Sequence, residues 1–112
     1  MLKMKFIKTI ENLLTKAEQK GSAKINGRMS YGWGAKGDLE EKYKIHITRR
    51  NILFMYHWGT LTACIDLNTK EINSYYGESV SDRDSLNTLL YLLDIEGKFR
   101  YLPSKDLFIY EK

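Results

Sequence analysis

His57, Cys64 and Asp66 fall within one short stretch, and an imidazole, a thiol and a carboxylate are the parts of a cysteine nucleophile with its base. No neighbouring motif aims His46 or His57, the chain's 2 histidines, at that thiol, so a buried small hydrophobe is the expected state of Cys64. His46, His57 and Asp66 also lack the close ligand spacing of a metal site, such as a paired Cys-x-x-Cys or His-x-x-x-His. Glu40-Glu41 flanks a turn, and Asp82 and Asp84 open a helix, so those carboxylates have structural work without acid–base chemistry. Residues 32–37, Gly-Trp-Gly-Ala-Lys-Gly, have the glycines of a phosphate-cradling loop but not its Gly-Lys-Ser/Thr ending, and a strand follows instead of a helix. That segment reads as a hairpin tip, with Trp33 and Lys36 as contact residues for a partner. No catalytic residue, cofactor or metal ligand is assigned. The expectation is a binding protein, not an enzyme.

Two constellations suit binding. The first is cationic: Lys24, Arg28, Lys42, Lys44 and His46, with Arg49 and Arg50 at the edge. Phosphate recognition needs clustered cations, and single-strand binding adds aromatic faces for base stacking. Residues 1–50 hold 12 Lys/Arg against 5 Asp/Glu, whereas residues 51–112 hold 6 against 9. Such asymmetry fits a basic face that meets an acidic partner, nucleic acid or protein. The second constellation is Tyr75, Tyr76 and Glu78, tyrosines beside an acid in a loop, which is typical protein-contact material.

The elements that must position these residues follow from periodicity. Phe6, Ile7, Ile10, Leu13, Leu14 and Ala17 make one stripe of a helix over residues 4–20, with Gly21 just beyond its end. Residues 22–33 and 39–48 alternate as strands. Pairing Trp33 with Leu39 sets Ile25 beside Ile47, Gly27 beside Ile45 and Met29 beside Tyr43, with Arg28 beside Lys44 on the other face.

The strand over residues 52–58 has two readings. A two-residue turn at Arg50-Asn51 sends Phe54, Tyr56 and Trp58 into the core. A three-residue turn at Arg49-Arg50-Asn51 sends Leu53 and Met55 there and interleaves those aromatics with Lys42, Lys44 and His46. Strands over 61–66 and 71–76 follow, alternation placing Cys64 opposite Leu61, Ala63 and Ile65. Ser81 is the expected N-cap of a second helix near residues 82–95, carrying Leu86, Leu89, Leu90 and Leu93. Short strands over 98–101 and 107–110 close the chain around Pro103. The expected fold is α+β: a largely antiparallel meander sheet with both helices packed on it.

At 112 residues the chain is expected to form one domain, burying about two-thirds of its unfolded surface. One cysteine suits a reducing cytoplasm, and no apolar run approaches the ~20 residues of a bilayer span. No signal peptide is read at the N-terminus, where Glu11 and Asn12 interrupt any apolar run.

Residues 57–63, His-Trp-Gly-Thr-Leu-Thr-Ala, and 75–81, Tyr-Tyr-Gly-Glu-Ser-Val-Ser, resemble a family of small uncharacterised phage and mobile-element proteins. That family pairs an aromatic-x-Thr-x-x-Ala strand with a Tyr-Tyr-Ser-x-Thr-Thr loop and a helix, and the likeness covers roughly residues 52–90. Gly77 stands for the serine, Ser79 and Val80 for the two threonines, and Arg83 falls where the family tends to carry a histidine. The family has no established activity and so lends no catalytic residues. The resemblance implies a cytoplasmic protein acting stoichiometrically on a host macromolecule, such as an inhibitor of a defence nuclease. Nucleic-acid binding and a small homodimeric accessory protein are the alternatives.

Overall fold

The computed structural model describes residues 7–30, 36–102, 104 and 107–112, with the side chains of 28–30, 36–40 and 107 left aside. Helix α1 (Ile7–Lys20) buries Ile10, Leu13, Leu14 and Ala17, the stripe read from its spacing. Met4 and Phe6 lie outside the described residues. Gly21, at φ 89°, donates its N–H to the Ala17 carbonyl (2.7 Å), and its own carbonyl accepts from Ile47 N–H (2.7 Å). The helix end is thereby tied to the sheet.

Five strands follow in antiparallel meander: β1 (Ser22–Ser30), β2 (Lys36–Ile47), β3 (Ile52–His57), β4 (Thr60–Asp66) and β5 (Glu71–Tyr75). Helix α2 (Val80–Leu92) comes next, then a separate two-stranded sheet, β6 (Lys98–Leu102) and β7 (Leu107–Glu111). One core joins these layers. Tyr43, Ile45, Leu53, Met55, Ala63 and Ile65 face it from the sheet, and both helices and Phe99 close over them. The fold is α+β, with both helices on one side of the sheet. No helix among the described residues is long and apolar enough to cross a membrane.

The turn between β2 and β3 resolves the two readings. Thr48 N–H bonds the Ile52 carbonyl (2.9 Å), Ile52 N–H bonds Thr48 Oγ1 (3.2 Å), and Asn51 N–H bonds the Thr48 carbonyl (2.9 Å). Asn51 sits at φ 65°, the left-handed residue that ends a three-residue hairpin loop. Leu53 and Met55 therefore oppose Ile47 and Ile45 in the core, while Phe54 opposes His46 and Tyr56 opposes Lys44 on the other face.

Several expected boundaries and pairings are corrected. β1 and β2 pair four residues away from the expected register: Ile25 opposes Tyr43, Ala23 opposes Ile45, and Lys24 opposes Lys44. An even shift preserves which side chains share a face, so the hydrophobic pattern cannot tell the two registers apart. Lys24, not Arg28, is the neighbour of Lys44; Arg28 lies past a bulge and opposes Leu39. Lys36, expected in the hairpin tip, begins β2, and Trp33 lies outside the described residues.

Helix α2 is capped by Ser79, whose hydroxyl accepts from Asp82 N–H (3.1 Å), and not by Ser81. Both serines have an Asp three residues on, so spacing alone does not choose between them. The closing strands form their own sheet, held to α2 by Asn87. Its carboxamide accepts from Phe99 N–H (2.6 Å) and donates to the Phe99 carbonyl (3.2 Å), standing in for a missing strand.

Because Asn51 has φ 65°, Asn51→Gly should change stability by no more than a few tenths of a kcal/mol, whereas Asn51→Val should cost ~1–2 kcal/mol. Urea unfolding measures both. Equal stability of the two variants would mean that the turn does not hold β3 in register.

Candidate nucleic-acid interface

The sheet face turned away from the helices carries cations and aromatics in rows set by the strand pairing. One row runs Lys24, Lys44, Tyr56, Leu61 across β1 to β4, and the next runs Ser22, His46, Phe54, Cys64, Ser74 across β1 to β5. Lys24 and His46 are exposed, and Lys44, Phe54, Tyr56 and Cys64 are partly exposed. Lys44 Nζ lies 5.8 Å from the centre of the Tyr56 ring, and His46 stacks near Phe54 with ring centres 6.5 Å apart. Arg49 and Arg50 are exposed in the adjoining turn.

Trp58 turns instead to the core side, where its ring stacks on His57 with centres 6.0 Å apart. At φ 51° it leaves the strand and reaches back over β2 to β1, its N–H bonding the Lys42 carbonyl (2.8 Å). A Cβ on Gly27 would stand 3.0 Å from Lys42 Cδ and 3.5 Å from Trp58 Cη2, so a bare backbone there makes room for both side chains. The structure thus brings together Lys24, Lys44 and His46 from the expected basic set on the open face and adds Phe54 and Tyr56 to them. Lys42, its ammonium 5.6 Å from the centre of the Tyr43 ring, lies instead with Trp58 on the core side.

Two residues moved relative to expectation. A bulge opposite Met55 and Tyr56 accommodates Thr62 as an extra residue, its hydroxyl bonding the Met55 carbonyl (3.2 Å). Leu61 consequently shares the open face with Cys64, at 38% exposure, instead of lying opposite to it. Cys64 is partly exposed and not a buried hydrophobe.

The pairing also separates the thiol from the histidines' supposed chemistry. His57 lies on the core face with Met55, Cys64 lies on the other, and Asp66 pairs with Ile52 at the far end of β3. His46 and His57 face opposite sides of the sheet.

His57 meets a carboxylate that the sequence did not point to. Its Nδ1 lies 2.7 Å from Asp82 Oδ1 in a nearly closed site, and Tyr43 stacks on the imidazole at 4.5 Å with planes 7° apart. Asp82 Oδ2 accepts from Glu78 N–H (2.9 Å), and Asp82 N–H bonds Ser79. Burial alone would raise the Asp82 carboxyl; the His57 bond, the Glu78 amide and Ser79 outweigh it and hold the group below its ordinary value. The carboxylate is then ionised at neutral pH and His57 Nδ1–H donates to it. Burial raises the Tyr43 phenol, with the Asp82 and Asp84 charges reinforcing it and the Ser85 hydroxyl opposing. With one end of α2 clasped to one end of β3, this cluster positions the loop before α2. The only available signal was an Asp three residues after a Ser, which equally suits a plain helix cap.

Tyr75, the last residue of β5, is 39% exposed but engaged in packing. Its ring contacts Phe99 (5.1 Å), Phe108 (6.3 Å) and Tyr110 (6.5 Å), and its hydroxyl accepts from Tyr110 N–H (3.2 Å). A Cβ on Gly77 would stand 2.7 Å from the Phe108 ring, so a larger residue there would displace that ring. Tyr76 and Glu78 remain exposed, and a bond to Glu78, ahead of burial, raises the Tyr76 phenol.

Compared with protein-family models, curated proteins and solved structures, the chain matches none.

Asp82 carries a pH dependence whose sign is determined. Its folded-state value is depressed, so its contribution is whole above the unfolded-state value, about 3.9, and is lost as pH falls through the folded value. Asp82→Asn should cost ~1–3 kcal/mol at pH 7, and the gap to the parent should narrow below about pH 4. Denaturant unfolding across this range checks it; an unchanged gap would show that the clasp contributes no charge-dependent stability.

Proposed function

We propose that this protein binds nucleic acid through the open face of its five-stranded sheet. One observation carries the reading: the three-residue turn at 49–51 puts Phe54 and Tyr56 on the same face as Lys44 and His46. Cations alone would support only weak, salt-sensitive contact, whereas aromatics among them supply a second attraction that salt does not screen.

A second reading is stoichiometric binding of a host protein, as the likeness to phage and mobile-element proteins implies. Tyr76 at 49% exposure and Val80 at 56%, with Glu78 between them, favour it as a contact patch beside the α2 N-terminus. Tyr75 gives that reading less support, since its ring is engaged with β6 and β7.

Labelled oligonucleotides titrated at several salt concentrations test the first reading. Binding should persist near physiological salt, and Lys24→Ala with Lys44→Ala should reduce the slope of log affinity against log salt by ~0.7 per lost phosphate contact. An unchanged slope would remove these lysines from the interface. No binding of any polynucleotide would remove the nucleic-acid reading and leave the Tyr76–Val80 patch.

A further inference from the structure

We infer that the occupant of the open face is an extended single strand, with its phosphates along β1 and β2 and its bases over β3. This rests on the nucleic-acid reading and specifies the form and the placement of the ligand.

The charge distribution across the sheet sets the placement. Lys24 on β1 pairs with Lys44 on β2, with His46 two residues further along β2, whereas Asp66 on β4 opposes Glu71 on β5 at the far edge. A polyanion running along β4 and β5 would meet carboxylates; one running along the Lys24–Lys44 end of β1 and β2 meets ammonium groups, and Glu41, opposite Asn26, bounds that run. The aromatics lie one strand inward. With strands about 4.8 Å apart, Lys44 and Lys24 stand roughly one and two strand spacings from Tyr56, within the reach between a base and its own phosphate.

The spacing along β3 sets the form. Phe54 and Tyr56 are two residues apart on one strand face, about 6.8 Å at the ordinary rise. That is twice the ~3.4 Å between successive bases of a stacked strand. Two such rings can each take one base only from a chain whose bases have been drawn apart. In a duplex, neighbouring bases already cover one another's faces, which leaves Phe54 and Tyr56 nothing to stack on. A second copy of this chain is the competing occupant of a partly apolar face, but a face-to-face pair would bring two lysine patches together.

Cys64 reports on the site without perturbing it. It is the chain's 1 cysteine, partly exposed, and directly opposite Phe54. A base stacked on Phe54 should shield it.

The experiment uses the full chain with a pyrimidine oligodeoxynucleotide, its ribose counterpart and a duplex of equal length, near physiological salt. Both single strands should bind at least tenfold tighter than the duplex, with the ratio between them showing whether the sugar is read. Phe54→Ala and Tyr56→Ala should each weaken single-strand binding about tenfold or more, and Tyr56→Phe should retain it. Reaction of Cys64 with a chromogenic aryl disulfide should slow severalfold when the single strand is added. Circular dichroism confirms that each variant keeps its fold, and the Cys64 rate tests the placement in the unaltered protein. Duplex binding as tight as single-strand binding, or an unshielded Cys64 under saturating single strand, would overturn the inference while leaving electrostatic binding in place. Failure of all three ligands to bind would overturn the nucleic-acid reading itself.

Discussion

The left-handed conformation of Asn51 is the constraint on which the two faces of the sheet depend. A strand has a period of two, so one residue more or less in the β2–β3 turn exchanges every side chain of β3 between core and surface. With three residues in the loop, Leu53 and Met55 are fully buried, and Phe54 and Tyr56 are partly exposed among lysines. With two, the aromatics would fill the core and the open face would be cationic and little else. Asparagine tolerates positive φ better than most residues, and the Thr48 hydroxyl receives the amide of Ile52, so the local chemistry favours the longer loop.

The consequence is a division of labour between faces. The core face is sealed by α1, α2 and Phe99 and is clasped at one end by His57 and Asp82. The open face leaves two aromatic side chains partly in water. Full burial of each would contribute ~1.5–3 kcal/mol, so leaving part of that surface exposed forgoes on the order of 1 kcal/mol per ring. A ligand that stacks on those rings recovers it. The clasp also explains why the loop after β5 holds its position: Asp82 gathers Glu78, Ser79 and His57 around one carboxylate.

Much of the fold was legible from periodicity. The α1 stripe, the meander and the leucines of α2 follow from spacing alone; Ile10, Leu13, Leu14 and Ala17 of α1 and Leu86, Leu89 and Leu90 of α2 are buried, while Ile7 and the C-cap Leu93 are partly buried. The β1–β2 register was not legible, because an even shift leaves the hydrophobic pattern intact and the bulges that accommodate it leave no mark in composition. Leu61 was misplaced for a related reason: Thr62 adds a residue that simple alternation does not count. The cationic part of the candidate interface was visible as residue types, but its aromatic half hung on a turn length that the sequence left open. The His57–Asp82 pair was invisible, since 25 residues separate the partners and the carboxylate had a sufficient explanation as part of a helix cap.

Mapping of amide and methyl chemical shifts while a single-stranded oligonucleotide is added, at near-physiological salt, tests the central claim most directly. Perturbations should concentrate at Lys24, Lys44, His46, Phe54, Tyr56 and Cys64 and leave α1 and the Tyr76–Val80 segment unmoved. Perturbations centred on the helix side or on Tyr76–Val80, with the open face silent, would contradict a sheet-face nucleic-acid interface.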